Sequence, residues 1–214
     1  MAGIPSLVVA VPKGRVLAGL AARMAHAGVD PEVLLADDRR LVRDDPTTGV
    51  RFLLLKPDDV PTYVEYGAAD LGIVGRDVLL ERNYDVYAPL DLGIGRCRMV
   101  VAGLPDARPE PGPGRSLRVA TKFANIATKH FESKGQPIEI IYVQSSVELA
   151  PPTGLADIIV DLVESGETLR QNGLVEFETI AEVSSVVIAN RVGFKLKQAA
   201  VRPLIASLGQ APSA

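Results

Sequence analysis

Residues 156–174 bring together the groups that an anionic sugar would need. Ile158, Ile159 and Val160 are consecutive β-branched residues, the pattern of a strand covered on both faces. Asp161 and Glu164 are expected at its carboxyl end, followed by Ser165, Gly166, Glu167, Thr168 and Leu169. Small residues there let backbone N–H groups approach an anion closely. Residues 168–172 read as a short helix, with Gly173 as its stop. A helix start offers free N–H groups and the positive end of a dipole, which suits phosphate. Acids beside such a turn need another task, and accepting hydrogen bonds from sugar hydroxyls or orienting Mg²⁺ through water would supply one. The same residues also suit an ordinary strand–turn–helix corner capped by Ser165 or Thr168, so the segment alone leaves both open.

Cations recur where strands should end. Pro12-Lys13-Gly14-Arg15 lies between the first strand and the first helix, and Lys56 follows a second apolar run. Arg39, Arg40, Arg43 and Arg51 add further charge, with Arg51 expected on a solvated strand face. Residues 64–77 are rich in glycine. Gly72 within a strand implies close backbone approach, and Val74 and Gly75 precede a helix whose first turn carries Asp77. A nucleotide-ready corner and tight packing of small residues both fit that spacing. Glu148 suits a ribose hydroxyl or a helix cap. His26 and His130 read as helix-face residues, and no Ser/His/Asp grouping stands out. Neither a Walker A loop nor a dinucleotide fingerprint is present.

The 214 residues suffice for one large domain or two small lobes, and 47% hydrophobic content indicates a globular chain. A net charge of −3 argues against broad nucleic-acid binding. One cysteine, Cys97, precludes an intramolecular disulfide and a cysteine-based metal site, and two histidines make a histidine-rich zinc site a poor fit. The apolar run at 7–11 is too short for a secretion signal, and no stretch approaches a membrane span, so a cytoplasmic protein is expected.

The pattern of elements predicts strands at 7–11, 50–55, 71–74, 86–90, 96–104, 117–120, 138–143 and 157–161, and one long strand at 175–189. It predicts helices at 15–27, 58–66, 77–82, 125–133, 146–150, 168–172 and 195–208. Asp58 is expected to cap the second helix, with Pro61 in its first turn. The proline-rich stretch 105–116 reads as a surface loop or arm. Such alternation implies α/β architecture: two lobes, each a largely parallel sheet flanked by helices, with ligands at the carboxyl ends of strands in a cleft between them. Residues 1–100 plus 183–214 are assigned to a discontinuous first lobe and 101–182 to a second.

Five segments together resemble the short form of the ATP phosphoribosyltransferase family, which opens histidine biosynthesis. They are Pro12-Lys13-Gly14-Arg15; residues 59–75; residues 119–127, Val-Ala-Thr-Lys-Phe-Ala-Asn-Ile-Ala; residues 146–151, Ser-Val-Glu-Leu-Ala-Pro; and residues 154–174. The resemblance implies two α/β lobes similar to type II periplasmic binding proteins. It implies Mg²⁺-dependent transfer of phosphoribosyl from phosphoribosyl pyrophosphate to N1 of ATP adenine, with inversion and release of pyrophosphate. By the same resemblance, Ser165, Gly166, Glu167, Thr168 and Leu169 cradle the 5′-phosphate, and Glu148, Asp161 and Asp157 are candidates for the ribose hydroxyls. Lys13, Arg15, Arg39 and Lys56 neutralise pyrophosphate and triphosphate, while Gly14, Gly72, Val74 and Gly75 line the nucleotide side. No protein metal cage is implied, because Mg²⁺ rides on the substrate pyrophosphate. A homodimeric core and a hetero-oligomer with a regulatory subunit resembling histidyl-tRNA synthetase are implied as well. Three positions depart from the family: Lys56 and Val186 stand where arginine is usual, and Ser145 where glycine is.

Overall fold

A computed structural model describes residues 7–107 and 116–210, so most of the expected proline-rich arm lies outside the described residues. The chain divides into two compact units. One takes the residues up to Leu79, Asn83–Gly95 and those from Ser184 onward; the other takes Leu80–Arg82 and Arg96–Val183. The second unit begins at Arg96 and runs through Val183, where residues 97–103 pair with residues 175–183 in one sheet.

The first unit is built on β1 (Leu7–Pro12), β2 (Val42–Asp44), β3 (Val50–Leu55), β4 (Leu71–Gly75), β5 (Val86–Asp91) and β11 (Ser185–Asn190). Their order in the sheet is β2-β3-β1-β4-β11-β5. The central β3-β1-β4 trio is parallel, while β2 and β11 run antiparallel to their neighbours. Helices α1 (Leu17–His26) and α8 (Gln198–Gln210) share one core with Val9, Val11, Phe52, Leu71 and Ile73. Helix α3 (Val60–Glu65) shares a second core with Ala10, Val74, Val186 and Ile188. Alternate residues of β1 and β4 therefore feed opposite cores, which is why both strands read as unbroken apolar runs. Helices α2 (Pro31–Leu35) and α7 (Arg191–Leu196) and the first four residues of α4 (Arg76–Glu81) complete the unit.

The second unit holds β6 (Cys97–Gly103), β7 (Leu117–Thr121), β8 (Ile138–Tyr142), β9 (Ile158–Val163) and β10 (Val175–Val183), ordered β10-β6-β9-β7-β8. Here β9-β7-β8 is the parallel trio, and β6 runs antiparallel to β9 and β10. Helix α5 (Ala124–Ser133) closes one core with Val119, Ile158 and Val160. The short α6 (Glu167–Gln171) and Val147 cover the other face over Ala120 and Ile159. Among the described residues no helix is long and apolar enough to cross a membrane.

Several local expectations are corrected. The expected strand at 175–189 is two strands, broken at Ser184, whose halves pair in different sheets. The last helix breaks at Lys197, so 195–208 spans the end of α7 and most of α8. Pro57 opens a single 3₁₀ turn over Pro57–Asp59, so Asp59 rather than Asp58 precedes α3, and it makes no capping hydrogen bond. Residues 146–150 form only a 3₁₀ turn, Val147–Leu149. Neither α2 nor β2 was expected from the sequence.

Candidate active site

In each unit the parallel trio ends on the candidate residues. In the first unit Lys13 N–H donates to the Leu55 carbonyl at 2.8 Å. That bond extends the β1–β3 register by one step and sets Lys13 beside Lys56 at the sheet end. Gly14 then leaves the strand at φ +99°, a turn that favours glycine, and its carbonyl accepts from Leu17 N–H at the start of α1. Leu54 N–H donates to the Leu41 carbonyl, so the chain carrying Arg39 reaches the same end just before β2. Lys13, Arg15, Arg39 and Lys56 are all exposed. Neighbouring arginines have other work. Arg40 pairs with Asp38 at 2.6 Å, and the buried Arg43 donates to the carbonyls of Val33, Leu34 and Ala36. Arg51 pairs with Asp44 at 2.7 Å.

The glycine-rich strand has a physical explanation inside the fold. A Cβ at Gly72 would meet Val64 Cγ2 at 2.7 Å and Val60 Cγ1 at 2.8 Å, so α3 lies directly on β4 there. Val74 is fully buried, and the departure at Val186 lies in the same core. A Cβ at Gly75 would meet Asp77 Oδ1 at 2.1 Å, so the acid of the following helix already covers that corner. Gly72 and Val74 therefore have no side-chain surface to offer a ligand, and the close approach inferred at Gly72 is to α3.

In the second unit Thr121 Oγ1 donates to the Val160 carbonyl at 2.7 Å and accepts from Phe123 N–H at 2.8 Å. This pins the end of β7 against β9 while β9 runs on. Asp161 sits within β9, not at its carboxyl end as expected, and it is only half-buried because β7 has already stopped. Burial lifts its carboxyl above the ordinary value; the Leu162 N–H opposes this at 2.8 Å, nearby Glu148 adds to it and Lys122 opposes it. Glu148 comes from the 3₁₀ turn after β8, which Ser146 enters at φ 54°, the one non-glycine with positive φ among the described residues. The unusual backbone is thus at Ser146, next to the family departure at Ser145.

Beyond β9 the chain turns through Glu164 and Ser165, and Gly166 at φ +77° precedes α6. Ser165 Oγ accepts from Glu167 N–H at 3.3 Å. The Glu167 carboxylate is engaged by Arg170 and, at 2.9 Å, by Gln171. Thr168 is exposed, and Leu169 anchors the turn in the core. The opening N–H groups of a helix have no acceptor within it, so the turn presents donors beside Asp161 and Glu148.

Asp157 lies apart from the other candidate acids. It lies before β9, about 13 Å along the strand from Asp161 at roughly 3.3 Å per residue. Its carboxylate is clamped by Arg118, at 2.8 Å from Nη2 and 2.9 Å from the backbone N–H. It holds the amino end of β9 to β7, opposite the turn.

Two residues escaped the sequence reading. Lys122 follows β7 directly, a position the 119–127 segment already made visible. Glu81 accepts from Asn125 and Ile126 N–H, both at 3.0 Å, and so caps α5. No local pattern could reveal a cap 44 residues away.

The family model HisG: ATP phosphoribosyltransferase matches residues 56–210. An ATP phosphoribosyltransferase of Sorangium cellulosum is 56% identical over 94% of this chain and 94% of its own length. That of Anaeromyxobacter sp. strain K is 50% identical over 100% and 97%. The solved ATP phosphoribosyl transferase (HisG:HisZ) complex from Thermotoga maritima aligns with TM-score 0.80 and 34% identity, covering 94% of this chain and 95% of that one. A putative L-cystine ABC transporter from Listeria monocytogenes, at TM-score 0.54 and 11% identity over 95% and 90%, shares the fold alone. With a matching family model over most of its length and relatives of half or more identity, this chain belongs to the ATP phosphoribosyltransferase family.

Proposed function

We propose that the chain transfers phosphoribosyl from phosphoribosyl pyrophosphate to N1 of ATP adenine, releasing pyrophosphate, as the first step of histidine biosynthesis. The turn through Ser165, Gly166, Glu167, Thr168 and Leu169 takes the donor's 5′-phosphate on backbone N–H groups and the Thr168 hydroxyl. Asp161 and Glu148 accept from the ribose hydroxyls. Lys13, Arg15, Arg39 and Lys56 offset the departing pyrophosphate and the triphosphate, with Gly14 and Gly75 on the nucleotide side. The observation that carries this reading is the turn itself: a left-handed Gly166 opens α6 beside two carboxylates at the end of a parallel trio.

Adenine N1 already holds a free lone pair, so attack needs no strong base. The difficulty is charge: the ribose becomes oxocarbenium-like while a polyanion leaves. Positioning and electrostatic stabilisation are therefore the enzyme's main contributions. The family implies a divalent metal, and Mg²⁺ is the one we assign. Among the described residues no three His, Cys, Asp or Glu side chains gather as a cage. Asp161 and Glu148 are the carboxylates that would orient such an ion through water, with the ion itself carried on the substrate's diphosphate oxygens. When bound, Mg²⁺ would neutralise leaving-group charge.

The Thermotoga structure is a complex of two kinds of chain. That likeness supports a hetero-oligomer with a regulatory subunit; the homodimeric core, the partner's resemblance to histidyl-tRNA synthetase and the cytoplasmic location are carried by the family resemblance of the sequence. Thr168→Ala tests the site: the half-saturating donor concentration should rise about tenfold while that of ATP stays put. Unchanged donor kinetics would remove the turn from the site.

A further inference from the structure

The proposed donor site in the second unit poses an electrostatic problem. Asp161, Glu148, Glu164 and Glu167 all lie at or beside the turn, and a phosphate approaching that much negative charge is repelled. Backbone N–H groups and one Arg170–Glu167 pair offset only part of it. Three other cations of the unit are committed elsewhere, Arg98 to Glu176, Arg118 to Asp157 and Lys134 to Glu178, and the exposed Lys129 lies well inside α5 rather than at a strand end. Lys122 differs. Among the described residues it makes no hydrogen bond or ion pair, and its ammonium stands 4.6 Å from the centre of the Phe123 ring. That ring is itself buried in the core, so the lysine stem rests on a fixed platform. By the register of β7 with β9, Lys122 falls alongside Asp161 at the carboxyl end of the trio, where it already acts on that carboxylate. The backbone there is held on both sides, by Thr121 to Val160 and by Glu81 to Asn125 and Ile126.

We propose that Lys122 is the donor-binding cation of the second unit: its ammonium balances the Asp161–Glu148 pair and takes a phosphate oxygen of the phosphoribosyl donor. This rests on the donor-site reading above. A cation poised over an aromatic face keeps its charge partly unspent until an anion arrives, whereas a lysine locked to a carboxylate would first have to break that pair. The role is distinct from that of the first-unit cations, since Lys122 discriminates for the sugar phosphate rather than for ATP.

Calorimetric titration of the intact chain with phosphoribosyl pyrophosphate and Mg²⁺ provides the test, and it needs no turnover. Lys122→Ala and Lys122→Gln should each weaken donor binding about tenfold or more, the loss of one charge-assisted contact. Lys122→Arg should stay within about threefold of the parent, and ATP binding should not change in any of the three. Thr168→Ala is titrated alongside. If Thr168→Ala weakens donor binding and the Lys122 variants do not, Lys122 has no such role while the donor site stands. If neither residue matters, the donor-site reading and this inference fall together. If the Lys122 variants weaken ATP and donor equally with a lower melting temperature, the lysine is structural and the proposal is wrong.

Discussion

The two units solve the same topological problem with opposite chemistry. Each has three parallel strands whose carboxyl ends carry the candidate residues. In the first unit those ends are basic: Lys13, Arg39 and Lys56 are exposed and make no ion pair among the described residues. In the second they are acidic and rich in hydroxyl and amide donors, with Asp161, Glu148, Ser165 and Thr168 around a left-handed turn. A triphosphate or a departing pyrophosphate wants dense positive charge. A ribose 5-phosphate wants acceptors for its hydroxyls and N–H groups for its single phosphate. The division of charge thus matches a division of substrate chemistry, and the residues at the strand ends and in the turns beyond them make it, while the strand interiors are alike.

Removing charge from the basic end should have the largest effect. Lys13→Ala with Lys56→Ala is expected to lower kcat/KM by about 10³-fold, two charge-assisted contacts together, with little change in melting temperature because both side chains are exposed. Steady-state kinetics beside a thermal melt reads both. A loss of folding comparable to the loss of rate would erase the contrast between the two ends.

Asp161→Asn sharpens the acidic side. Burial lifts the Asp161 carboxyl, so the fold favours its protonated form. The stability this contributes is fully present below the ordinary carboxylate value of 3.8 and is lost as pH rises through the raised value. At pH 7 the asparagine variant should therefore melt about 2–4 °C higher than the parent while binding donor less well. The gap in melting temperature should close as the pH falls through the carboxylate range. A variant that melts lower at pH 7 would mean that the carboxylate is a structural partner.

The amino end of the same sheet gives the smallest functional effect. Arg118→Ala opens the clamp on Asp157, a partly exposed pair, and should lower the melting temperature only slightly. Donor and ATP half-saturation should not move. A selective rise for the donor would return Asp157 to the binding site.

Most of the fold was legible because both sheets bury their central strands on two faces, leaving apolar runs that need no context. What was missed depends on distant partners. Val175 to Asn190 is β-rich throughout, and only the change of sheet at Ser184 divides it. β2 is three residues long and exists through its pairing with β3. The site was legible where residue type and position coincide, as at Lys13, Lys56 and the turn after β9. It was ambiguous where one type serves two ends: Asp157 and Asp161 look alike in sequence, yet Arg118 pairs with the first. Glycine is ambiguous in the same way, since Gly72 makes room for α3.

Backbone amide chemical shifts of the isotope-labelled chain, followed during titration with ribose 5-phosphate, test the central division most directly. The expected result is perturbation concentrated at residues 165–169, extending to Lys122 and Asp161, with the amides of Lys13, Arg15 and Lys56 unmoved. Saturable shifts centred on Lys13 to Arg15, with the turn silent, would contradict it.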